Sequence, residues 1–426
     1  MGQIAPTINH PSADNQPISR WSLAFLILLP FLILGSRVTS DATASIAALF
    51  LAVFWFMRPE SLVRKQAWFK AVLVLWAFMI FVTSFFSVDQ LYSLEQSLIF
   101  IRWPAFGLVL CCLVFTDANR LRIFERSALF FFLFIALDSI LQYCLGRDIF
   151  GHQPVGTRLT GPFSKLMPGS YALRIYPMAL VALLLISSKL PKPRFLALVV
   201  GMIALSQVFA FLTGERIVFL LFGMINFVLL IALIYQEKLS FKFIGGAAVA
   251  FIALAVSAVV LAPKMFARTV MSFFDQLSNF QNSSYYQVFH TAIILWEQSP
   301  IVGIGTRYFN RGCEALPRVL HPDEGCEVHP HNIYLEWLSQ NGVIGLAIFL
   351  IILFLIFRVL WRGLDFKNNL LQSVVVFVAP IMLFWPLTSS MSMQTNNYAG
   401  LVWLLLGWAL ARAMVQSRST VAITKV

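Results

Sequence analysis

Apolar residues in this chain come in long runs, with little of the two-residue alternation that marks a half-buried strand. Stretches such as 21–36, 71–86, 169–188 and 242–262 hold almost no charge. They approach or reach the roughly 17 to 25 residues an α-helix needs to cross a hydrocarbon layer about 30 Å thick. Read this way, the chain predicts twelve spans, at about 21–36, 42–57, 70–87, 94–115, 127–146, 169–188, 195–213, 216–236, 243–262, 333–357, 369–388 and 395–413. The expected fold is an all-α polytopic membrane protein with about 12 transmembrane helices and one large outer loop before helix 10. Its expected parts are a tail over 1–20, helices 1–9 over 21–262, the loop over 263–332, helices 10–12 over 333–413 and a tail over 414–426.

Composition sharpens this. The chain is 59% hydrophobic and only 12% charged, against about 25% charged in a soluble domain. That excludes a soluble enzyme, a nucleic-acid binder and a disordered scaffold. The net charge of +12 matters through its placement. With the N-terminus inside, 19 of the 31 basic residues fall in cytoplasmic segments, the side on which Lys and Arg accumulate. Both ends are therefore expected to be cytoplasmic, and 21–36 is expected to be a retained first helix and not a cleaved signal.

Charges inside a span mark function by default. Arg102 lies in span 4, Asp138 with Gln142 in span 5, and Arg174 in span 6. Arg158 and Lys165 precede span 6, and Arg216 opens span 8. The cations all fall toward the outer side and describe an electropositive pocket there. Arginine presents a planar fork matched to phosphate oxygens, and Arg216 stands at a helix N-terminus that favours anions. A pyrophosphate with a lipid tail fits this arrangement. Pairing of Arg102 with Glu95 or Asp138, and arginines that merely face lipid phosphates, stay open.

Before span 10 the chain reads His329-Pro330-His331-Asn332. Imidazole suits proton abstraction at neutral pH. Two other readings stand beside it, a zinc site of His321, Cys326, His329 and His331, and histidines that cap the span. Cys313 and Cys326 are expected to form a disulfide if the outside is oxidising, whereas Cys111, Cys112 and Cys144 read as buried apolar residues. Residues 265–280 carry an apolar stripe at helical spacing. It reads either as a helix lying in the outer interface or as one packed on its own loop. No metal-binding Asp-x-Asp pattern and no cofactor motif appears in the outer segments.

Several of these stretches resemble a family. Arg216 with Leu220 matches an Arg-x-x-x-Leu motif, and His331-Asn332, nine residues, then Gly342-Val343-Ile344-Gly345 matches His-Asn followed by Gly-x-x-Gly. Ser299-Pro300-Ile301-Val302-Gly303-Ile304-Gly305 looks like a Pro-x-x-Gly-x-Gly segment, and Arg158-Leu159-Thr160-Gly161-Pro162-Phe163 with Gly169-Ser170-Tyr171 resembles a further one. Together they resemble the O-antigen ligase family of bacterial envelope glycosyltransferases, over about residues 130–350. Many members carry an arginine upstream of the Pro-x-x-Gly segment. This chain has Ser284-Tyr285-Tyr286 there, so Arg307 or Arg311 takes over, or the head group differs.

The resemblance implies transfer of a glycan from a polyprenyl pyrophosphate to a sugar hydroxyl at the periplasmic face of the bacterial inner membrane, without metal or cofactor. His331 and Arg216 would be catalytic, with Arg158, Arg174, Arg102, Arg307, His329 and Asn332 binding substrate. The acceptor would be lipid A-core for a ligase or a second lipid-linked glycan for a polymerase, and membrane lipid is the only other partner expected. Twelve spans with internal charges also suit a flippase or transporter, but the charges gather at one face and no repeat of the halves is visible.

Overall fold

A computed structural model describes residues 18–58, 61–320, 322, 325–387, 391–394 and 396–423. His10, His321 and Lys425 lie outside the described residues. The apolar runs fold as α1 (Arg20–Leu34), α2 (Arg37–Met57), α3 (Ala67–Phe86), α4 (Gln90–Val114), α5 (Ala118–Leu145), α6 (Pro168–Ser187), α7 (Lys192–Leu212), α8 (Arg216–Glu237), α9 (Phe241–Leu261), α10 (Ile333–Gly363), α11 (Leu370–Leu383) and α12 (Asn396–Ile423). Among the described residues, nine of these are long and apolar enough to cross a membrane. The other three, α1, α11 and the Phe241–Ala253 part of α9, are shorter apolar helices. Short polar side chains set several starts, as N-cap residues do. Ser36 Oγ accepts from Thr39 N at 3.0 Å, and Asp117 Oδ1 from Arg120 N at 2.9 Å.

α12 runs through the middle of the bundle, with Trp403 and Trp408 buried. Trp68 of α3 stacks on Trp403 with centroids 6.0 Å apart. Gly107 of α4 and Gly407 of α12 let the two backbones meet: a Cβ on Gly407 would stand 2.9 Å from the Gly107 carbonyl oxygen. Small residues at such crossings are how membrane helices gain packing without a hydrophobic driving force. Polar pairs lock two other crossings. Glu125 of α5, fully buried, is bound by Arg412 of α12 and accepts from Trp408 Nε1 at 2.7 Å. Tyr176 of α6 donates to Asn226 of α8 at 2.7 Å and accepts from Ser206 of α7 at 2.9 Å.

α10 is broken at Gly342, whose φ of 64° and ψ of −173° leave the helical region. Residues 300–305 lie against the break. Val343 N donates to Pro300 O at 2.9 Å, Ile304 N to Ser339 O at 3.0 Å and Gly305 N to Gln340 O at 3.1 Å. A Cβ on Gly303 would fall 2.2 Å from the Gln340 carbonyl carbon, and one on Gly342 2.2 Å from Ile301 O, so both positions require glycine. Irregular backbone at membrane depth persists only where protein satisfies it, and this clasp does so. Thr306 extends it to α4, donating from its N–H to Ser93 Oγ at 3.0 Å.

The described residues of the segment 263–332 include the short helices Pro263–Phe266, a π-helical turn Ala267–Met271, Ser272–Ser278, Ser284–Gln298 and Phe309–Glu314. Met265 and Thr269 pack inward, Thr269 Oγ1 reaching Phe211 O at the end of α7, while Met271, Phe274, Leu277 and Phe280 are exposed. The stripe is therefore divided between its own support and an outward apolar face. Cys313 and Cys326 are joined by a disulfide with Cα atoms 5.8 Å apart. Cys111 and Cys112 are buried, but Cys144, expected to be buried, is exposed in the last turn of α5.

Candidate functional site

The turn between α7 and α8 builds the centre. Gly214 takes a φ of 69°, and the chain then enters α8 at Arg216 with Glu215 at the N-cap. Glu215 points across to α6, where its two oxygens accept from Gly169 N at 2.9 Å and Ser170 N at 3.2 Å. Burial pushes the Glu215 carboxyl above its ordinary value, and Arg158, Ser170, Gly169 and Arg174 pull it back down. This carboxylate fastens the start of α6 beside the start of α8 and brings Arg174 and Arg216 to one place.

A polar clamp on α5 holds the loop that carries Arg158. Gln142 Oε1 accepts from Thr160 N at 2.9 Å and Gly161 N at 3.0 Å, and its Nε2 donates to Thr160 Oγ1 at 2.7 Å. Asp138 accepts from Ile149 N at 3.0 Å. Val155 and Arg158 close a tight turn by exchanging backbone bonds of 2.9 and 3.0 Å. The two polar residues of span 5 thus support Arg158 from behind.

These elements enclose a cavity of about 340 Å³ lined by Arg158, Arg174, Arg216, Arg268, Glu215, Tyr285, His331 and Tyr398 among others. Arg174 is 7% exposed and lies 4.3 Å from the Tyr398 ring centroid. Its Nε and that of Arg158 are buried without a hydrogen-bond partner. Arg216 donates to Ser272 O at 3.3 Å. Burial first, then the nearby Arg158 and Arg216, press the Arg268 guanidinium below its ordinary value. Four guanidinium groups against one engaged carboxylate leave the cavity lining with excess positive charge, which favours an anion over a cation there.

His331 stands at the edge of this cavity in the left-handed backbone region, φ 52°, an uncommon state for a non-glycine residue. Its ring meets Tyr285 edge-on at 6.3 Å and lies 4.4 Å from the His329 ring. Burial lowers its pKa, against the pull of Glu327. A neutral imidazole beside an anion site can take a proton from a bound hydroxyl.

The other arginines expected here lie elsewhere. Arg102 pairs with Asp41 of α2 at 3.3 Å, a partner other than Glu95 or Asp138. Arg307 donates to Gln96 Oε1 at 2.8 Å, and Arg311 pairs with Asp89 at 2.9 Å. None of the three lines the cavity. Tyr285 lines it where many relatives of the resembled family have arginine, and Arg268 supplies the further cation. Nothing in the sequence singled out Arg268, which lies within the stripe 265–280. Asn332 caps α10, accepting from Tyr334 N at 3.0 Å and donating to Pro386 O at 2.7 Å. Among the described residues no group of three His, Cys, Asp or Glu is placed to hold a metal ion, and Cys326 is taken by the disulfide.

No curated protein matches this chain. Residues 199–350 match the family model described as O-antigen ligase, a stretch that runs from α7 through Arg216, Arg268, the glycine clasp and His331 into α10. Over that stretch the chain is similar to the O-antigen ligase family, whose members are membrane glycosyltransferase-like enzymes of the ligase and polymerase type.

Proposed function

We propose that this protein transfers a glycan from a polyprenyl pyrophosphate to a sugar hydroxyl, most directly O-antigen to lipid A-core. The convergence of Arg158, Arg174, Arg216 and Arg268 with His331 on one cavity carries this reading. In the proposed arrangement twelve helices span the bacterial inner membrane, α1, α9 and α11 included. Residues 263–332 form the periplasmic loop, and the tails 1–20 and 414–426 are cytoplasmic.

The acceptor oxygen attacks the anomeric carbon as the bond from that carbon to the pyrophosphate oxygen breaks. The bonding pair leaves with polyprenyl pyrophosphate, and the acceptor proton passes to His331. A pyrophosphate leaving group needs no general acid, only fixed positive charge where negative charge develops. The four guanidiniums supply it, so the scheme calls on no metal. Arg102 and Arg307, held by Asp41 and Gln96, take no part in it. Asn332 acts by fixing the start of α10, and His329 stands behind His331.

Ligase and polymerase share this chemistry and differ in the acceptor. The single extended folded segment before α10 favours the ligase. Lipopolysaccharide from a deletion strain decides between them. A ligase leaves lipid A-core without O-chain while lipid-linked polymer accumulates. A core capped with a single repeat would instead identify a polymerase.

A further inference from the structure

A proton taken by His331 would create an imidazolium in a cavity already walled by Arg158, Arg174, Arg216 and Arg268. Like charge at that distance opposes the transfer, so a working base here needs a counter-charge on its other side. Glu327 provides the only carboxylate within ion-pair distance of His331 among the described residues, with Oε2 3.7 Å from Nε2. The position of Glu327 is fixed from two sides. Its neighbour Cys326 is bonded to Cys313, and Asn310 Nδ2 donates to both the Cys326 and Glu327 carbonyl oxygens at 3.3 Å. The disulfide and the amide together hold residues 326 and 327 against the Phe309–Glu314 helix, one turn of chain before the strained backbone of His331.

The geometry points to Glu327 as the positioning residue for His331: it holds the Nε2–H tautomer and offsets the charge formed on proton transfer, leaving Nδ1 to face the acceptor hydroxyl. This rests on the reading of His331 as the base. The separation is longer than a hydrogen bond, as catalytic contacts often are before substrate binds. The other groups that face the ring are the His329 imidazole on the same loop, the Tyr285 ring from the Ser284–Gln298 helix, and, across the cavity, the four arginines and Glu215. None of these besides Glu215 is acidic, and Glu215 is spent on Gly169 and Ser170.

The test is the pH dependence of transfer by the purified full-length protein with Glu327→Gln and Glu327→Asp. Glu327 is half exposed, so Gln should leave the melting temperature unchanged. Removing the carboxylate lowers the imidazole pKa further, so the acidic limb of the rate profile moves to lower pH. The plateau rate should fall about 10-fold, a part of the roughly 100- to 10,000-fold a general base supplies. Asp should restore part of both effects, and Gln should add nothing in a His331→Ala background. A Glu327→Gln profile that overlays wild type, with His331→Ala inactive, overturns this inference alone. An active His331→Ala protein overturns the base and this inference together.

Discussion

Arg268 Nε lies 3.3 Å from the carbonyl oxygen of Gly214. This contact latches the π-helical turn Ala267–Met271 onto the turn that opens α8, and Arg268 Nη1 reaches on to Thr157 Oγ1 at 3.5 Å. One side chain therefore ties together three separate pieces of chain that each carry a guanidinium of the cavity. Gly214 makes room for it, since a Cβ there would stand 3.1 Å from Arg268 Cδ in a backbone conformation that side chains rarely adopt.

Arg268→Ala is accordingly expected to weaken donor binding. Charge-assisted hydrogen bonds contribute about 1.5–3 kcal/mol each, so KM for the lipid-linked donor should rise about 10- to 100-fold. Arg268→Lys keeps the charge but loses the planar fork and should fall between. Donor titration with purified variants reads this directly, and an unchanged KM for the alanine variant would remove Arg268 from the anion site.

The glycine clasp makes a structural prediction. Gly342→Ala places a Cβ 2.2 Å from Ile301 O at a positive φ. Strain of that kind costs about 1–3 kcal/mol before the clash is counted. The variant should melt several degrees lower in detergent and lose activity. Gly201→Ala, where the added Cβ meets nothing within 4 Å, should do neither.

At the far crossing of α5 and α12, Glu125→Ala leaves Arg412 and Trp408 without their buried partner. Breaking one side of a buried pair costs about 3–5 kcal/mol, whereas replacing both sides with apolar residues is often nearly neutral. Thermal melts should therefore rank wild type close to the Glu125→Leu, Arg412→Met double variant and both well above Glu125→Ala. Equal melting of the two variants would show that the pair is not a unit.

The apolar runs were legible because a hydrocarbon layer selects long uncharged stretches, and each of the twelve predicted runs overlaps one of the helices α1–α12, nine of which, among the described residues, are long and apolar enough to cross a membrane. Arg174 stood out as a charge within an apolar run, Arg158 and Arg216 as cations beside such runs, and His331 as an imidazole just before the tenth. Their common cavity follows from contacts that sequence order hides, such as Glu215 on Gly169 and Gln142 on Thr160. Arg102 misled because its partner, Asp41, sits in another helix at no local spacing. Gly303 and Gly342 appear in two separate motifs, and only the fold shows that each excludes a side chain from the other.

The lowered pKa of His331 carries a sign. The free imidazole is the active form, so transfer should rise with pH through a midpoint below the ordinary 6.5 and then level off. Initial rates from pH 4.5 to 8 would show it. A midpoint above 6.5 would mean that Glu327 outweighs burial at this ring.

The most direct test of the account is single-turnover transfer by the purified protein, given a lipid-linked glycan donor and a lipid A-core acceptor. Product and released polyprenyl pyrophosphate are followed separately from donor binding. His331→Ala should bind donor as wild type does yet transfer about 100- to 10,000-fold more slowly, the usual loss when a general base is removed. Transfer by His331→Ala at a rate near wild type would contradict the account.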